Sequence, residues 1–298
     1  MSDAERGSTG ATGVTSVVAW NGSASSRAAL LWGLERERSG LGGLMLLTVI
    51  DEAFRSCGQP AMDELTVAAR QALEAEAAWI GQIAPEVAVT VTLFEGDPER
   101  ELLRHAPEGS MLVVGRQEAH SHLHRRSLAS RLASRASVPV ALVRTDPGQD
   151  RTGVVAGVDG STASTGAGLV AAEEATRRRE PLHLVHAWPG PGPGLAAMAD
   201  AEGDLANHRR LLDEAERSIR EGFPSLTIES HLEPGPAASA LSRHALTAAL
   251  LVVGSRAHGP VKRVLLGSVS RTLAETTDCP LVIVTEGDRE PQLSPDRP

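Results

Sequence analysis

Gly254-Ser255-Arg256-Ala257-His258-Gly259-Pro260-Val261-Lys262-Arg263-Val264-Leu265-Leu266-Gly267-Ser268-Val269-Ser270 is the stretch whose residue types and spacing speak most directly of chemistry. It follows the apolar run 249–253 and precedes a helix-compatible segment, so it reads as strand, glycine- and serine-bearing loop, then helix start. An α/β protein holds phosphate in such a place. Glycines such as Gly254, Gly259 and Gly267 let backbone approach an anion, and the unpaired N–H groups around Ser268 and Val269 point at it with a favourable dipole. The hydroxyls of Ser268 and Ser270 add donors. Arg256, Lys262 and Arg263 lie inside the loop, and the two at 262 and 263 either offset phosphate charge or are ordinary solvated residues. Neither G-x-x-x-x-G-K-S/T nor G-x-G-x-x-G occurs here.

A second cluster, Gly157-Val158-Asp159-Gly160-Ser161, ends another apolar run. A carboxylate at the carboxyl edge of a parallel sheet can hold a divalent ion or accept ligand hydrogen bonds, and Asp159 is equally suited to cap a helix. His120, His122 and His124 alternate in a polar loop and converge on a metal only if that loop is extended. His186 ends an apolar strand and reads as a satisfied structural histidine. Cys57 and Cys279 lack metal-ligand or disulfide spacing; Cys279, next to Pro280, reads as a small apolar filler.

The elements that must position these residues occur twice. Val17-Val18-Ala19-Trp20-Asn21-Gly22-Ser23 corresponds to residues 154–161, Leu93-Phe94-Glu95-Gly96-Asp97-Pro98 to 232–236, residues 111–115 to 250–254 and residues 138–143 to 279–284. Short apolar runs alternate with longer amphipathic segments, the signature of β-α-β units around a parallel sheet. Five strands are expected per copy, near 16–20, 43–49, 88–94, 111–115 and 140–143, then 153–158, 182–187, 226–232, 250–254 and 281–284. Helices are expected at 63–83, with Leu65, Ala68, Ala72 and Ala75 on one face, and at 207–221. A loop is expected over 188–204, where Pro-Gly repeats preclude regular structure at its start. The expected organisation is a disordered 1–12, a first domain at 13–146, a linker at 147–152, a second domain at 153–286 and a disordered tail at 287–298.

The chain has 298 residues, enough for two cores, and its formal charge of -9 argues against a general affinity for nucleic acid. No apolar stretch approaches the roughly 20 residues that span a bilayer, and no signal-peptide pattern opens the chain, so a cytoplasmic protein without a membrane partner is expected.

Taken together, these motifs resemble the universal stress protein family in order and position over nearly the whole chain. The loop resembles that family's G-x2-G-x9-G-S/T pattern, with Ala257 at the second glycine. The resemblance implies two tandem doubly wound five-stranded parallel sheets of the adenine-nucleotide alpha hydrolase-like type, and an ATP-binding stress-response or regulatory module. It implies nucleotide contacts from Gly157, Val158, Asp159, Gly160 and Ser161, from Ala187 against the adenine, and from Gly254, Arg256, Ala257, Gly259, Gly267, Ser268, Val269 and Ser270. It further implies Asp159 beside a nucleotide-bound Mg, and a homodimer or an intramolecular pseudo-dimer with some protein partner. Asn21, Glu118 and Arg126 replace the site residues in the first half, so binding is expected mainly in the second. No catalytic residue is expected. A slow ATPase or nucleotidyl transferase, and a scaffold that binds no nucleotide, are the alternatives.

Overall fold

The computed structural model describes residues 13–39, 42–116, 127–145, 151–190, 195–255 and 266–285, with backbone alone at Val14 and 195–202. The first half supplies β1 (Val14–Ala19), β2 (Gly43–Asp51), β3 (Ala88–Gly96), β4 (Met111–Arg116) and β5 (Val140–Arg144). The second supplies β6 (Val154–Gly157), β7 (Leu182–Trp188), β8 (Ile228–Pro234), β9 (Leu250–Ser255) and β10 (Leu281–Thr285). All pairs within a half are parallel. The expected five-stranded arrays are therefore present, and they are joined edge to edge into one ten-stranded sheet of order β3-β2-β1-β4-β5-β10-β9-β6-β7-β8. The join is antiparallel, with Ala141 opposite Val282.

Strand position follows burial. The central strands β4, β5, β9 and β10 are almost wholly Val, Leu, Ile, Ala and Met and are covered on both faces. The outer strands β3 and β8 carry Thr, Glu, Ser and His among their apolar residues and are only partly buried. Helices α1 (Ala24–Arg38), α2 (Gln59–Ile83), α5 (Thr162–Arg178) and α6 (Leu195–Gly222) cover one face, packing Leu30, Leu34, Leu73, Ile80, Leu212 and Ile219 on it. Helices α3 (Pro98–His105), α4 (Leu128–Arg135), α7 (Ala237–Ala245) and α8 (Ser268–Thr276) cover the other through Leu102, Leu132, Leu241 and Leu273.

Two local expectations need correction. The buried face of α2 is Met62, Leu73 and Ile80, whereas Leu65, Ala68, Ala72 and Ala75 are exposed. Alanine is as common on the outside of a helix as within it, so an alanine stripe misplaced the phase. The segment expected as a loop through residue 204 becomes helical at Leu195, because Leu-Ala-Ala-Met-Ala after the Pro-Gly run are strong helix formers.

The halves meet around an approximate dyad. Arg36 and Glu174 are equivalent positions on α1 and α5, and Arg36 Nε donates to Glu174 Oε1 at 2.8 Å. Their side chains are only 7% and 1% exposed. Arg36 Nη1 also donates to Glu37 Oε1, Ser16 Oγ and the Thr15 carbonyl. Two identical side chains meeting here would bury like charge. Arginine in one copy and glutamate in the other converts that repulsion into a paired contact.

Candidate functional site

In the strand order of each half, the chain reverses direction of winding between β1 and β4, and again between β6 and β9. Ligands of open α/β sheets bind at the carboxyl ends of the strands at such switch points. The sequence-derived residues of the second half converge there. Gly157 ends β6, Val158 to Ser161 form the turn into α5, Ala187 lies near the end of β7, Gly254 lies near the end of β9, and Gly267 caps α8 ahead of Ser268, Val269 and Ser270. Arg256, Ala257 and Gly259 lie outside the described residues, as do Lys262, Arg263, the first-half loop residues Glu118, His120, His122, His124 and Arg126, and the expected terminal segments.

The β6–α5 turn is built by hydrogen bonds. Asp159 Oδ1 accepts from Ser161 N at 3.0 Å and from Ser161 Oγ at 2.6 Å. Ser161, not Asp159, is the helix cap, and its Oγ accepts from Ser164 N. Gly160 has φ +79°, and an added Cβ would also lie 2.9 Å from Leu211 of α6. The first half keeps the same turn: Asn21 Oδ1 accepts from Ser23 N, and Ser23 caps α1. What changes between the halves is the charge at the position of Asp159.

Gly254 has a different reason from the one its sequence suggests. A Cβ there would lie 2.6 Å from the Ala163 backbone, and one on Gly115 would lie 2.1 Å from the Ser25 carbonyl oxygen. Both glycines are required by the close crossing of helix over strand, so neither by itself marks a phosphate. Gly267 has no such neighbour; an added Cβ would meet only Ser270 Oγ, at 3.6 Å.

The starts of the last helices differ. Ser127 caps α4, with its Oγ accepting from Ser130 N, whereas the Gly267 cap of α8 makes no side-chain hydrogen bond. First-turn N–H groups of α8 are thus left to other acceptors. One residue beyond each strand glycine, Arg116 in β4 matches the small, buried Ser255 in β9. Arg116 Nη2 donates to the Thr277 carbonyl, while its buried Nη1 has no hydrogen-bond partner among the described residues. Burial, and secondarily Arg144, push the Arg116 guanidinium down to about 10. Arg116 also lines a cavity of about 330 Å³ in the first half, with Trp20, Asn21, Val49, Leu102 and Ser127.

Sequence reasoning missed Ser255, Arg116, Leu211 and His208. His186 is buried, with Nδ1 2.7 Å from the Val158 carbonyl oxygen and Nε2 2.8 Å from His208 Nδ1. A carbonyl only accepts, so His186 Nδ1 carries a proton and donates to it; in the neutral ring Nε2 is then the acceptor and His208 Nδ1 the donor. The equivalent Thr48 Oγ1 donates to the Trp20 carbonyl at 2.7 Å, so both residues serve to hold the turn. His186 is the structural histidine expected, and it also ties α6 to the site.

Two doubly wound α/β units, each with a switch point at the carboxyl edge of its strands, define the class of this protein. Comparison with known proteins gives the family: the universal stress protein family matches residues 15–144 and again 152–285, and the chain belongs to it as a tandem member. The universal stress protein Rv2005c of Mycobacterium tuberculosis is 29% identical over 214 residues, spanning 67% of this chain and 70% of its own length. A Mycolicibacterium smegmatis universal stress protein is 32% identical over 190 residues, 62% of this chain and 65% of its own. In fold, the chain is similar to a universal stress protein from Archaeoglobus fulgidus, with a TM-score of 0.68 at 20% identity over 91% of this chain and 98% of that one.

Proposed function

We propose that the chain is an adenine-nucleotide-binding regulatory module that takes ATP mainly in its second half. The observation that carries this reading is the start of α8: a glycine cap without a side-chain hydrogen bond, followed by Ser268, at the β6/β9 switch point where the turn of Asp159 also lies, whereas the Ser270 hydroxyl is buried and donates to the Gly267 carbonyl. Backbone N–H groups and the helix dipole would receive the phosphates. Ala187, small and near the end of β7, leaves room for the flat base, and Ser255 is small where the first half carries Arg116. The residues also fit a nucleotide-bound Mg, since Asp159 keeps a carboxylate on the turn and such ions need only one or two protein carboxylates. When bound, the ion would offset the charge of the phosphates. Binding would act by shifting the population of loop conformations rather than by turnover.

The cavity beside Arg116 favours a second reading, in which the first half also receives a ligand with an anionic group. Isothermal titration with ATP and Mg separates the two. The main reading expects one site per chain, lost in Ser255→Arg and kept in Arg116→Ser; the opposite dependence assigns the site to the first half. Sustained ADP release from purified protein, abolished in Asp159→Ala, would replace the binding reading with an enzymatic one.

A further inference from the structure

His183 on β7 and Glu229 and His231 on β8 project from the same face of the sheet, because His183 is in register with Glu229 and His231 follows two residues later. Their ligand atoms close into a triangle: His183 Nδ1 is 3.2 Å from His231 Nε2 and 3.4 Å from Glu229 Oε2, and His231 Nε2 is 4.0 Å from the same carboxylate oxygen. A tetrahedral zinc with ligand bonds of about 2.0–2.2 Å places neighbouring donor atoms about 3.3–3.6 Å apart. Two edges already approach that range, and the third closes with a small movement of Glu229, which is exposed and free to turn.

We infer that His183, Glu229 and His231 form a binding site for a zinc-like divalent transition-metal ion, with water in the fourth position. Two imidazoles and a carboxylate are a donor set suited to zinc, whereas calcium and magnesium prefer oxygen ligands. Neighbouring groups hold the histidines. Gly153 leaves the ring of His183 its place, since an added Cβ would lie 3.0 Å from His183 Nε2. The ring of His244 packs 4.7 Å from that of His231, and His244 Nε2 is in turn 3.1 Å from Glu233 Oε1.

Position and pseudo-symmetry both separate this site from the nucleotide cleft. His183 and Glu229 are each the second residue of their strands, toward the amino ends, whereas the cleft lies at the carboxyl ends. Strand register places Met45, Thr90 and Thr92 at the equivalent positions of the first half. A thioether and two hydroxyls make no zinc site, so the metal would belong to the second half alone.

Untagged full-length protein, stripped with a chelator, is titrated with Zn2+ in competition with a chromophoric zinc indicator. One tight site per chain is expected. The exchange His183→Met, Glu229→Thr and His231→Thr, which installs residues the fold already tolerates in the first half, should weaken that site at least a hundredfold. Glu229→Gln, which keeps both imidazoles and removes the anionic ligand, should weaken it by less than the triple exchange. X-ray absorption at the zinc edge should show two imidazoles with oxygen completing the shell. Failure of the wild-type chain to compete with the indicator overturns the inference. So does tight binding retained by the folded triple variant, which would place the metal elsewhere, for example on His120, His122 and His124.

Discussion

The two halves of this chain share a fold and differ at the points where a fold becomes a site. Both keep the serine-capped turn after the first strand, and both need glycine where a helix crosses the fourth. Against that constant background, Asn21 becomes Asp159, Arg116 becomes Ser255, and a Ser127 cap gives way to Gly267. Features common to both halves therefore report on chain geometry, and features on which they disagree report on function or on their mutual contact. Arg36 and Glu174 are the clearest case of the second kind: equivalent residues of opposite charge that meet in the interior.

The largest effect is expected from breaking that contact. Arg36→Ala leaves Glu37 buried without its cation and Glu174 with only the longer 3.7 Å contact to Arg177, and should cost about 3–5 kcal/mol in urea unfolding. Arg36→Met combined with Glu174→Met should cost less than the sum of the single changes; strict additivity would show that the pair is not coupled. Ser255→Arg, which gives the second half the residue of the first, should lower ATP affinity by at least tenfold by titration calorimetry while leaving the melting temperature within a few degrees. Asp159→Asn sharpens the comparison further, because it keeps the turn and removes only the charge. ATP affinity measured with Mg should fall severalfold, and the Mg dependence of binding should flatten. An unchanged Mg dependence would remove Asp159 from the ion.

The smallest effect concerns the two thiols. Cys57 is exposed, and Cys279 is buried, where desolvation pushes its thiol up to about 11. At pH 8 the thiolate of Cys279 is suppressed, so a maleimide should modify one thiol per folded chain quickly and the second only on unfolding. Two fast thiols would show that the join between the halves opens readily.

Much of the fold was legible because β5, β10 and their neighbours are uninterrupted apolar runs bounded by Gly and Pro, and because everything occurs twice. The turn at Asp159 was legible for the same reason, and the glycine cap at Gly267 because a glycine-bearing loop there joins an apolar run to a helix-compatible segment. The phase of α2 was not, since its outward alanines imitate a buried stripe. The Arg36–Glu174 pair, separated by 138 residues, becomes visible only when the halves are folded together. Likewise, His183, Glu229 and His231 belong to two strands and acquire meaning only from register. Glycine was also ambiguous in sequence: Gly254 suggested an anion and proves to be demanded by the backbone of α5.

The claim that the halves are unequal in function is tested most directly by photolabelling the intact chain with 8-azido-ATP at one equivalent, followed by peptide mapping. Label is expected in peptides from residues 153–286, suppressed by excess ATP. Competable label of equal yield in residues 13–146, or confined to them, would contradict it.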